Sequence, residues 1–126
     1  MTQAGEFADL VGLRPVSLDT GRAVFAVKLR PEHLNPHGVV HGGVVYTLAD
    51  TTMGAALTTR LDAGERCLTL EIKINYVAPA LEGTLACEAV VVDRGRRIGV
   101  LEARVRDEAE KLVALATGSF YIMPPH

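Results

Sequence analysis

Between Val44 and Arg60 the chain carries its one helical repeat long enough to cover a sheet. Leu48, Thr51, Thr52, Ala55, Ala56 and Thr59 recur there at three- and four-residue spacing, which puts them on one face of a helix about 24 Å long at 1.5 Å per residue. The other long periodic stretches alternate with period two, as strands do. One helix and several strands leave an economical solution, an antiparallel sheet curled around that helix in an α+β fold. The helix is rich in small residues, Ala49, Gly54, Ala55 and Ala56. Glycine inside a helix costs about 1 kcal/mol relative to alanine, so a tightly wrapped sheet is the expected reason for it.

The strand signals number five. After a helical turn or two from Glu6 to Val11, Gly21 opens a stretch in which Phe25, Val27 and Leu29 alternate with Val24, Ala26 and Lys28. Four more follow at Cys67 to Val77, Thr84 to Asp93, Arg97 to Arg106 and Leu112 to Met123. The separators Arg94-Gly95-Arg96 and Asp107 to Lys111 read as hairpin turns. In the first of the four, Leu68, Leu70, Ile72, Ile74 and Tyr76 are expected on the covered face, opposite Thr69, Glu71, Lys73 and Asn75.

A length of 126 residues suits one domain spanning 1–126 and one site. Net charge is −2 with basic and acidic residues interspersed, so no cationic face invites nucleic acid. Cys67 and Cys87 lie in apolar alternating stretches without metal or redox spacing and read as buried core thiols. The N-terminus has no basic segment followed by an apolar run, and no apolar stretch reaches membrane-spanning length. A cytoplasmic protein with no membrane partner is expected.

The chemistry concentrates where the loop from Pro31 to Gly43 meets the helix. Asn35, Pro36, His37, Gly38, His41, Gly42 and Gly43 crowd that junction. Backbone N–H groups of a helix's first turn lack partners and carry partial positive charge. Gly42 and Gly43 would let a ligand oxygen approach them, forming an oxyanion or carbonyl site. Asp50 sits two turns further on in an otherwise apolar or small run, where an ionised carboxylate needs a reason. General-base or nucleophilic work is one reason; a solvent-facing or interface aspartate bonded to Thr51 or Thr52 is the other. His33, His37 and His41 recur every four residues, but Pro36 and Gly38 break the helix that would align them on a metal. No serine elbow, zinc-protease pair or phosphate loop is present, and neither metal nor cofactor is expected.

These residues carry a family resemblance. Asn35, Gly38, His41, Gly42 and Gly43, followed by Leu48-Ala49-Asp50-Thr51, resemble the hotdog thioesterases of the phenylacetic-acid degradation (PaaI) type. The likeness continues through Thr69 to Ala80, Gly83, Gly95-Arg96 and Leu112 to Phe120, and covers roughly residues 8 to 123. It implies a hotdog fold, a five-stranded antiparallel sheet around one long helix. It also implies a homodimer joined sheet edge to sheet edge, commonly doubled into a homotetramer, with active sites at the dimer interface. The substrate would be an acyl-CoA bearing an aryl-acetyl, hydroxylated aryl or short-to-medium acyl group. By the same resemblance the Gly42 N–H, aided by the Asn35 side chain, would polarise the thioester carbonyl. Asp50 of the partner subunit would act on water that Thr69 helps orient, or attack directly through an anhydride, and His41 would order the glycine turn. Arg94, Arg96, Arg97 and Lys73 are the cations available for coenzyme A phosphates, a solvated hairpin turn being the other explanation for the arginines. Two rival readings share the motif: a hotdog dehydratase or hydratase with His41 as proton shuttle, and a non-catalytic acyl-CoA-binding module.

Overall fold

The computed structural model describes residues 4–126. A short helix, α1 (Glu6–Val11), leads into strands β1 (Leu13–Asp19) and β2 (Arg22–Lys28). A single 3-10 turn (Pro31–His33) and a loop then deliver the chain to the long helix α2 (Gly42–Thr58). Strands β3 (Arg66–Tyr76), β4 (Thr84–Arg94), β5 (Ile98–Arg106) and β6 (Leu112–Met123) complete the fold. All strand pairs are antiparallel, in the order β1-β2-β4-β5-β6-β3. The hotdog arrangement, one long helix embraced by an antiparallel sheet, is therefore present.

The sheet has six strands rather than five. The extra one, β1, is an edge strand containing Pro15, and its register slips between Pro15 and Ser17. Proline removes a ladder donor and is tolerated in a strand at just such an edge or bulge, which is why the stretch does not advertise itself. The expected Val44 start of α2 moves to Gly42, because His41 caps the helix and draws both glycines into its first turn.

Val45, Leu48, Ala49, Met53, Ala56 and Leu57 of α2 are fully buried. The sheet meets them with rows that run across strands, such as Phe25, Cys87, Val105 and Ala114 in successive register. The closest approaches are made by glycines of the sheet: a Cβ on Gly99 would lie 2.9 Å from both Leu57 methyls, and one on Gly118 would lie 3.1 Å from the Met53 sulfur. Gly54 of the helix is not at such a contact, since its Cβ would meet Phe120 at an ordinary 3.7 Å. Tight wrapping thus explains Ala49 and Ala56, whereas Gly54 and Ala55 face a cavity.

The strict alternation expected of β3 fails. The register slips between Thr69 and Glu71, a bulge that inserts one residue and flips the side chains before it relative to those after it. Cys67 and Thr69 join Ile72 and Ile74 on the helix side, while Leu68 and Leu70 are each 57% exposed. Cys87 is a core thiol, pushed by burial up to about 12. Cys67 is half-buried beside the cavity instead, and its thiol is raised by burial, against a bond to Thr58 and with help from Asp50.

Candidate active site

The loop from Arg30 to His41 is held by its own polar groups. His33 is buried, accepts at Nδ1 from the Arg30 N–H at 2.9 Å and reaches the Val11 carbonyl with Nε2 at 2.6 Å. Since a carbonyl only accepts, Nε2 carries the proton, and His33 ties the loop to the end of α1. The His33 carbonyl accepts the His41 N–H at 2.8 Å, so the brace extends to the start of α2. None of this was readable from the histidine spacing, which measures sequence distance only.

Asn35 closes a turn. Its Oδ1 accepts from the backbone N–H of His37 at 2.8 Å and of Val39 at 3.4 Å, and Gly38 adopts the left-handed φ of 81° that completes the loop. Two backbone donors fix which side-chain atom is oxygen, leaving the Asn35 amide N–H groups without an acceptor among the described residues.

His41 caps α2 by accepting the Gly43 N–H at Nδ1, 2.8 Å away, and the Val44 N–H turns back to the His41 carbonyl at 2.9 Å. The Gly42 N–H has no acceptor among the described residues. Of the two glycines, Gly42 thus keeps a donor for a ligand, while that of Gly43 is already used. Tyr76, which the sequence reading had only as a strand residue, donates its hydroxyl to the Gly42 carbonyl at 2.8 Å.

Asp50 projects from α2 toward the edge strand, and Oδ1 accepts the Thr69 hydroxyl at 2.7 Å. The β3 bulge makes this possible, because without it Thr69 would face away from the helix. The pair stands on a cavity of about 370 Å³. Gly54 and Thr58 line its helix side, Cys67 and Phe120 the sheet side, and Leu18 and Phe25 the end beneath β1 and β2. A carboxylate with one oxygen bonded to a hydroxyl can hold and deprotonate a water with the other. Gly42 and Asp50 are eight residues apart on one helix, about 12 Å along its axis, so one chain does not bring them to one reacting atom.

The sequence-named cations do not converge on this cavity. Arg94 bonds Glu65 and the carbonyls of Arg60 at 3.2 Å and Gly95 at 2.9 Å. Arg97 reaches the other oxygen of Glu65 at 3.5 Å. The Asp62 N–H, supplemented by the two arginines and opposed by desolvation, holds the Glu65 carboxyl below its usual range. Arg96 is exposed and Lys73 lies on the exposed outer face beside Glu71, Thr117 and Ser119; neither side chain has a partner among the described residues. No cluster of metal-ligating side chains occurs among the described residues, and none of their helices is long and apolar enough to cross a membrane.

A long helix inside an antiparallel sheet defines a protein of the hotdog class. Comparison with known proteins gives the family. The model of the thioesterase superfamily matches residues 37–114. The acyl-coenzyme A thioesterase PaaI of Escherichia coli is 30% identical over 88% of this chain and 78% of its own. A conserved protein of Pseudomonas aeruginosa superposes with a TM-score of 0.91 at 39% identity, covering 94% of each chain. A variant of the phenylacetic acid degradation protein PaaI from Thermus thermophilus does so at 0.84 and 34%, covering 91% of this chain and 96% of its own. The chain belongs to the thioesterase superfamily, in its PaaI-like branch, and is a thioester hydrolase.

Proposed function

We propose that this chain hydrolyses acyl-CoA thioesters in a site completed by a second copy of itself. The observation that carries the reading is the Asp50–Thr69 pair, bonded at 2.7 Å on the wall of the cavity. The name of the similar E. coli protein, an acyl-coenzyme A thioesterase, supports the substrate class. The carbonyl oxygen would accept from the Gly42 N–H and the Asn35 amide, the donors left unused in their loop. Asp50 of a second copy would take a proton from water that Thr69 helps hold, and the water oxygen would attack the carbonyl carbon. The C–S bond then breaks, the departing coenzyme A sulfur takes the proton held by Asp50 and leaves as thiol, and the acyl group leaves as a carboxylic acid that ionises to solvent. A thioester needs little more, because it is already activated and its leaving group is good.

The separation of about 12 Å between the two half-sites supports a dimer. So does β3, which pairs with β6 on one side only and exposes Leu68, Leu70 and Tyr76. An unpaired edge strand of that length is a template for another chain, and joining two such edges would set each Asp50 toward the other copy's Gly42. Doubling into a tetramer is part of the same proposal, as is a cytoplasmic location. The cavity suits the expected acyl groups: a cavity of about 150 Å³ holds benzene, so this one has room for an aryl ring with its linker or a medium chain. Among the cations named from the sequence, Arg96 and Lys73, whose side chains have no partner among the described residues, are the ones left for coenzyme A phosphates, while Arg94 and Arg97 hold Glu65.

The test is to incubate the protein with acetyl-, octanoyl-, palmitoyl-, phenylacetyl- and hydroxybenzoyl-CoA and follow free thiol, with size measured by light scattering. Thiol release by a dimer or tetramer is expected. Stoichiometric binding without release would assign an acyl-CoA-binding module, and an enoyl absorbance change a dehydratase.

A further inference from the structure

We infer that Tyr76 is a positioning residue of the thioester site, its hydroxyl fixing the first turn of α2 so that the Gly42 N–H stays aimed at the substrate carbonyl. The inference rests on the thioesterase reading above. Three observations carry it. The Tyr76 hydroxyl donates to the Gly42 carbonyl at 2.8 Å. The tyrosine ring packs on Gly42 so closely that a Cβ there would lie 3.2 Å from its Cζ and hydroxyl oxygen. The neighbouring N–H groups of Gly43 and Val44 are both turned back onto His41, leaving the Gly42 N–H as the donor whose direction matters.

Helix first turns fray, because their N–H groups make no intrahelical bonds. A first turn made of two glycines is more prone to this than most, since glycine gives up the most backbone freedom on ordering. The His41 cap at the Gly43 N–H and the Tyr76 bond at the Gly42 carbonyl hold the two ends of one peptide, and the peptide before it, which carries the Gly42 N–H, hinges on that fixed plane through the Gly42 Cα. Tyr76 is also the last residue of β3, the strand that holds Asp50 through Thr69 seven residues earlier. One edge strand therefore braces both half-sites. Burial, with Tyr46 beside it, raises the Tyr76 phenol above its usual range, so it remains a donor throughout the neutral range. Tyr76 is 52% exposed in the single chain, which makes its hydroxyl a minor contributor to the stability of the chain's own core.

The decisive variant is Tyr76→Phe, which keeps the ring on Gly42 and removes only the hydroxyl. With the fastest acyl-CoA of the panel, kcat should fall about 10-fold while KM stays within about two-fold and the thermal midpoint is unmoved. Wild-type kcat in Tyr76→Phe, with Asp50→Asn inactive, would overturn this inference alone. A loss of kcat matched by a lowered thermal midpoint would also overturn it, since the hydroxyl would then be structural. No thiol release by the wild type, or a wild-type rate in Asp50→Asn, would overturn the thioesterase reading and this inference with it.

Discussion

Two chains, each disabled at a different half-site, should restore activity when paired. Asn35→Asp keeps an oxygen to accept from the N–H groups of His37 and Val39, so the turn survives, but it replaces the amide donor with a negative charge beside the carbonyl oxygen. Loss of one such donor is worth about 10²–10³ in rate. Asp50→Asn removes the base, worth about 10²–10⁴. A general base must come within about 3 Å of the proton it takes, yet the helix holds Asp50 about 12 Å from Gly42 along its axis. In a mixed dimer one site draws Gly42 and Asn35 from the Asp50→Asn chain and its carboxylate from the other, and is complete; the second site carries both lesions. The mixed dimer, isolated through two different affinity tags, should therefore release thiol at about half the wild-type rate per dimer, with each parent below about 1%. A mixed dimer as inactive as its parents would refute the shared site.

Gly99→Ala should destabilise by about 1–3 kcal/mol, because its Cβ would press on both Leu57 methyls at 2.9 Å in a filled core; chemical denaturation reads this. Gly54→Ala should do the reverse, gaining up to about 1 kcal/mol of helix propensity, since its Cβ meets Phe120 at 3.7 Å. The same methyl narrows the cavity, so turnover of phenylacetyl-CoA should fall relative to acetyl-CoA. Glu65 is held below its usual range by the Asp62 N–H, with desolvation opposing and Arg94 and Arg97 assisting. Its contribution to stability is thus complete above the ordinary glutamate range near pH 4.3 and lost as pH falls through the lower folded value. Glu65→Gln should flatten that acid limb in thermal midpoint against pH; an unchanged slope would remove Glu65 as its source.

The sequence made α2 legible because its period is local, and it made β2 and β4 to β6 legible because alternation and turn residues agree there. It hid β1, whose Pro15 is acceptable only at an edge, and edges are a property of the assembled sheet. It also hid the bulge at Leu70, since an inserted residue leaves the pattern of apolar side chains unbroken while reversing what each one faces. The candidate site was readable as a run from Asn35 to Asp50, and the ordering of the glycine turn by His41, which its cap on the Gly43 N–H performs, was implied by the family resemblance. The bond from Tyr76 to Gly42 spans 34 residues and the ties of Arg94 to Glu65 span 29; such pairings depend on which strands become neighbours. The hairpin arginines read from the sequence either as cations available for phosphate or as a solvated turn; the structure adds that Arg94 and Arg97 hold Glu65, a carboxylate of their own chain.

The central claim, that Asp50 activates water against a bound thioester, is tested most directly by thiol release from an acyl-CoA panel by the wild type and by Asp50→Asn, each shown to be folded and to bind acyl-CoA. The account predicts release by the wild type and a loss of about 10²–10⁴ in kcat for the variant, with binding retained. Equal rates from the two proteins would contradict it.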